Sequence, residues 1–147
     1  MIDLLRRLLA PTPAPLAETD ARLALAALLV RVARTDGLYS AEEVERIDRV
    51  LALRHGLDAF AAARLRAEAE TVEAEAPDTV RFTRALKEAG ALDERSGLMT
   101  ALWSVALADG LREAHEDQLL RLVANLLGLT DVESALARQQ AERAVRE

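Results

Sequence analysis

Residues 20–57 and 93–129 are near copies of each other, which constrains this chain more than any other feature of its sequence. At an offset of 73 the pairs Asp20/Asp93, Arg22/Arg95, Leu25/Leu98, Leu29/Leu102, Val32/Val105 and Ala33/Ala106 are identical. So are Asp36/Asp109, Gly37/Gly110, Leu38/Leu111, Ala41/Ala114, Glu43/Glu116, Val50/Val123 and Leu53/Leu126. One deletion then brings Gly56 onto Gly128 and Leu57 onto Leu129. A self-match of this density marks a supersecondary unit used twice. Most of the identities are apolar or glycine, as packing requires. The pairs Asp36/Asp109 and Glu43/Glu116 are charged and flank the same turn, so they are the first candidates for function.

The repeated unit is helical. Hydrophobic residues make up 51% of the 147, aromatics only 3% and charged residues 30%, so the core is built from Leu, Ala and Val. Few glycines and prolines and many strong helix formers favour helices over strands. No segment alternates with period two for long enough to form a strand. Asp20 reads as the N-cap of a helix reaching about Thr35, with Leu25, Leu28, Leu29 and Val32 on one face and Gly37 as its left-handed stop. Ser40 and Glu43 form a capping box that opens a helix to His55, burying Ile47, Val50 and Leu51. Asp58 caps a third helix to about Glu75, and a short fourth covers roughly 79–89 with Phe82 and Leu86 inward. The second copy then runs from Asp93 to Ala108, stops at Gly110 and returns over 113–127. Thr130 and Glu133 open a terminal helix with a second capping box. Trp103, on an apolar face, belongs to the core.

Residues 2–10 (IDLLRRLLA) read as a short amphipathic helix, followed by a stiff PTPAP linker in which each proline fixes its own φ and restrains its predecessor. The expected architecture is all-α: seven to eight helices, with two pseudo-symmetric helix-turn-helix hairpins packed as one compact bundle. The expected organisation is residues 1–19 as helix plus linker and 20–147 as one helical domain, whose internal repeat is 20–57 and 93–129.

Several function classes are disfavoured by composition. A net charge of −6 argues against non-specific nucleic-acid binding, which needs cations to neutralise phosphates. The absence of cysteine excludes disulfides, thiolate metal sites and thiol redox catalysis. The longest apolar run, 23–30, is far shorter than the roughly 18 residues of a membrane span, and Arg6 and Arg7 interrupt any secretory leader. No Ser-His-Asp arrangement, phosphate-cradling glycine loop or metalloprotease motif is present.

In both copies seven positions separate the turn aspartate from the glutamate: 36 to 43 and 109 to 116. Carboxylates at one helix end and at the next helix start converge on one side of a turn. If the two turns pack together, four carboxylates meet, an all-oxygen set suited to a hard divalent cation such as Ca²⁺, Mg²⁺ or Mn²⁺. Glu42, Glu113 and His115 are additional candidates. The pattern is not an EF-hand, because leucine stands at the third loop position and glycine comes second. The competing reading is structural: Gly37 and Gly110 as C-caps and Glu43 as part of a capping box. Against it, Glu113 is a poor N-cap although Glu116 is retained, and Asp36 and Asp109 oppose the helix macrodipole.

The pattern Val32-Ala33-Arg34-Thr35-Asp36-Gly37 with Glu42/Glu43, then Val105-Ala106-Leu107-Ala108-Asp109-Gly110 with Glu116, resembles the TerB family of tellurite-resistance proteins. The Arg81-Phe82-Thr83 helix and the Gly128-Leu129 ending resemble it as well, so the likeness spans roughly 20–135. The resemblance implies a small all-helical cytoplasmic module, related to part of DjlA-type membrane-anchored co-chaperones. It also implies metal binding at Asp36, Glu43, Asp109 and Glu116, and a role in stress or metal-resistance complexes at the inner membrane. Thr35, where the family more often has alanine, and Glu113 depart from the pattern.

The expected function is therefore non-enzymatic: an interaction module binding a divalent cation and a protein partner, cytoplasmic or peripheral at the inner membrane. A metal-free scaffold binding a partner peptide is the alternative, and a metal-assisted hydrolase is third. The first helix is expected to dock in a groove of this molecule or of a second copy, making a homodimer, with a membrane surface competing for it. His55 reads as a C-terminal cation favoured by the dipole. Glu68, Glu70, Glu73, Glu75 and Asp78 read as a solvated acidic face.

Overall fold

The computed structural model describes residues 18–35, 37–76, 78–89, 92–108 and 114–146, with backbone alone at 18–20, 89, 92–93, 114–116 and 145–146. The expected helix over 2–10, its linker and its docking lie outside the described residues. The described residues form seven helices: α1 (Glu18–Arg34), α2 (Ala41–His55), α3 (Ala59–Glu75), α4 (Val80–Ala89), α5 (Leu92–Ala106), α6 (Ala114–Leu126) and α7 (Asp131–Arg146). No strand occurs among the described residues.

The apolar run that is too short to span a membrane forms the centre of the molecule. Residues 23–30 are each 0–1% exposed, and α1 packs against α2, α3, α4, α5 and α6. A helix apolar on every side must be covered on every side, and here it is. Repeated positions share that burial: Leu25/Leu98, Leu29/Leu102, Val32/Val105 and Ala33/Ala106 all belong to the core. Leu53 does not; it is 81% exposed, and Val50 is half-buried rather than buried.

The helix boundaries follow local chemistry, with small corrections. Asp20 and Asp93 lie inside α1 and α5 rather than at their N-caps, since the helices begin at Glu18 and Leu92. A negative charge in a first turn is still favoured by the dipole. Asp58 caps α3 by accepting the Ala61 N–H at 2.7 Å. Gly56 and Gly128 end their helices at φ +64° and +82°, a left-handed conformation that favours glycine.

The correspondence between the two copies also runs further than residues 57 and 129. At an offset of 72, the cap Asp58 falls on the cap Thr130, and Arg66, Ala69 and Glu70 fall on Arg138, Ala141 and Glu142. The matched arginines and glutamates make the same i,i+4 pair, Arg66–Glu70 at 3.1 Å and Arg138–Glu142 at 3.3 Å. Helix α3 packs on α1 and α2 as α7 packs on α5 and α6. Each unit thus has three helices, with α4 as the piece between them.

Candidate functional site

Around the first turn, the Gly37 N–H donates to the Arg34 carbonyl at 3.0 Å and the Thr35 hydroxyl to the Arg31 carbonyl at 2.7 Å. Gly37 sits at φ +82° with nothing within 4 Å of where a Cβ would stand, so backbone conformation rather than space demands glycine there. The capping box is complete: the Glu43 N–H donates to Ser40 Oγ at 3.1 Å, and the Ser40 N–H to Glu43 Oε1 at 2.9 Å. Glu43 is 0% exposed, unlike an ordinary surface cap, whereas Glu42 beside it is exposed. A carboxylate withdrawn from water needs charge or hydrogen-bond compensation.

Asp36, Asp109 and Glu113 lie outside the described residues. His115 and Glu116 are in the first turn of α6, where only the backbone is described. Among the described residues no group of three or more Asp, Glu or His is gathered as a metal would need. Two described helices, α2 and α5, are tied to each other. Arg46 of α2 donates to the Ser104 carbonyl of α5 at 3.4 Å. At the other end of this helix pair, a Cβ on Gly97 would stand 3.4 Å from Arg54 Nη1. Helices α2 and α5 therefore run antiparallel, so the start of α2 lies beside the end of α5.

An ion-pair network next to the first turn was not legible in the sequence and corrects the expectation of a solvated acidic face. Glu73 is bound by Arg31 at 3.0 Å and by Arg34 at 2.9 Å, and its side chain is 13% exposed. Arg31 also donates to the carbonyls of Glu73 and Ala76, at 3.0 and 2.9 Å, capping the end of α3. Arg66 bridges Asp48 at 2.6 Å and Glu70 at 3.1 Å. Burial alone would lower the Arg66 pKa, but the hydrogen bond and charge of Asp48, helped by Glu70, raise it. Burial, and then the nearby Glu70 carboxylate, raise the Tyr39 phenol well above its ordinary value. The guanidinium of Arg34 lies 5.1 Å from the centre of the Tyr39 ring. The sequence signal available was an arginine pair at i,i+3 closing α1, but nothing local says which carboxylates it meets.

These hairpins, helices and caps match a known family over most of the chain: the model described as Tellurite resistance protein TerB covers residues 22–139. The chain belongs to the TerB family. No curated protein and no solved structure matches it. In TerB terms the matched span begins inside α1 and ends inside α7, so it contains both acidic turns. No described helix is long and apolar enough to cross a membrane.

Proposed function

We propose that this TerB-family chain is a non-enzymatic module whose two Asp-Gly turns together bind a divalent cation and whose surface binds a protein partner. The start of α2 beside the end of α5, through the Arg46–Ser104 contact, is the observation that supports this reading most. Asp36, Glu43, Asp109 and Glu116 are the residues that would hold the ion, with Glu42, Glu113 and His115 around them. An all-oxygen set of this kind suits Ca²⁺, Mg²⁺ or Mn²⁺. The cation would offset the repulsion among the carboxylates and lock the two turns against each other.

The test is thermal unfolding with and without Ca²⁺, Mg²⁺ and Mn²⁺. Binding to the native state raises the melting temperature by mass action. Asp109→Asn is expected to abolish that rise while leaving the metal-free protein unchanged or slightly more stable. A loss of stability that is the same with and without metal would leave only the capping role.

A metal-free scaffold is the second reading, favoured by the complete Ser40–Glu43 box, which gives Glu43 a purpose without any ion. Exposed Leu53, Phe60, Leu122, Val132 and Leu136 offer apolar surface to a partner. A cytoplasmic site of action, peripheral at the inner membrane, accords with either reading.

A further inference from the structure

The two three-helix units differ in chemistry at a place where the second unit has a cavity. It measures about 210 Å³ between α5, α6 and α7, and its lining includes Trp103, Asp117, Arg121, Asp131, Ser134 and Arg138. The equivalent residues of the first unit are Val30, Val44, Asp48, Ala59, Ala62 and Arg66. There Val30 and Ala62 are fully buried, and Asp48 closes onto Arg66 at 2.6 Å. The second unit keeps the arginine and reverses its partner: Arg121 stands where Asp48 stands. Arg138 keeps its pair with Glu142 at 3.3 Å, as Arg66 keeps Glu70, so two guanidinium groups line the cavity where the first unit has the Asp48–Arg66 pair.

The rest of the lining narrows the chemistry. Arg138 lies 5.8 Å from the centre of the Trp103 ring, which presents an aromatic wall. Ser134, only 8% exposed, accepts the Trp103 indole N–H at 3.3 Å, so its own O–H remains a donor. Paired guanidinium groups and a hydroxyl donor suit a carboxylate, which arginine binds through parallel hydrogen bonds. Asp117 and Asp131 in the lining, with Glu142 on Arg138, more than offset the two arginines, so a bare anion gains little net attraction in a protein of net charge −6. A molecule carrying both charges adds no net charge to the site. The cavity is smaller than the roughly 300–1,000 Å³ of drug-sized sites.

We propose that this cavity binds a small zwitterion of the free amino-acid class. Its carboxylate would lie between Arg121 and Arg138, its ammonium towards Asp131, and its side chain against Trp103. This site is separate from the acidic turns, and its test does not depend on whether they bind metal.

Trp103 is the only tryptophan, so intrinsic fluorescence of the full chain reports on the cavity directly. Titration with a panel of free amino acids, leucine among them, is expected to change the emission saturably. 4-Methylpentanoate, which lacks the ammonium, and isopentylamine, which lacks the carboxylate, should each bind more weakly than leucine. Arg121→Asp rebuilds the ion pair of the first unit. It should keep or raise the melting temperature while weakening binding about tenfold or more, the scale of one charged hydrogen-bond pair. Arg121→Gln, which introduces no new charge, should weaken binding similarly. The proposal is overturned if no amino acid gives a saturable change, if 4-methylpentanoate binds as tightly as leucine, or if both variants bind like the parent.

Discussion

Glu43 is the residue on which the structural and functional readings meet. It closes a capping box and is also fully buried, a combination a helix start does not require. Ser40→Ala removes one cap bond and should cost about 1 kcal/mol, measured by denaturant unfolding, with or without metal. Titrating residues make a second check. The backbone N–H and then the side chain of Thr130 hold the Glu133 carboxyl below its ordinary value of 4.5. A depressed folded pKa means the stabilisation is present above the unfolded value and is lost as pH falls through the folded one. Unfolding measured below pH 4.5 should show that loss in the parent, less of it in Thr130→Val, which keeps the backbone N–H, and none of it in Glu133→Gln. Tyr39 has the opposite sign: its folded pKa is raised, so its contribution is complete below 10.0 and declines above it. It is the single tyrosine, so phenolate absorbance reads it alone. Glu70→Gln should move its titration downward.

Among the elements, α1 is held by its apolar surface along its length and by arginines at its end. Leu102 and its counterpart Leu29 are both fully buried, in helices α5 and α1 that pack together. Truncating such a leucine removes transfer energy and leaves a cavity, so Leu102→Ala should cost about 2–5 kcal/mol in chemical denaturation. The α1–α3 attachment depends on Glu73. Glu73→Gln leaves Arg31 and Arg34, which are 16% and 34% exposed, without their anion, although Arg31 keeps its two carbonyl acceptors. A loss of about 1–2 kcal/mol is expected, discounted from the fully buried case because these groups retain water. The loss should shrink in high salt.

For the whole molecule, the segment ahead of α1 is the open question of assembly. Residues 2–10 carry four leucines at positions 4, 5, 8 and 9. Burial of a leucine contributes about 1.5–3 kcal/mol, little more than the ordering cost of so short a segment, so docking there should be reversible. Deleting 1–15 and measuring mass in solution and liposome binding would decide among docking in a second copy, docking at home and a membrane role. Unchanged mass, stability and lipid binding would remove all three.

The sequence by itself determined the helices and most of their ends. Capping boxes at Ser40 and Thr130, the Asp58 cap and the glycines at 37, 56 and 128 act over four or five residues, so local chemistry suffices to set them. It also showed that a unit is used twice, because identical apolar positions need identical surroundings. The reach of that unit into α3 and α7 was hidden, since its few matching residues are spread among many that differ. Only the tertiary structure decided which helix is central, which carboxylates meet Arg31, Arg34 and Arg66, and that the start of α2 lies beside the end of α5. Those facts are set by contacts between residues tens of positions apart, which no local pattern encodes. The same holds for the cavity beside Trp103: Arg121 and Arg138 are ordinary surface letters until folding places both in its lining.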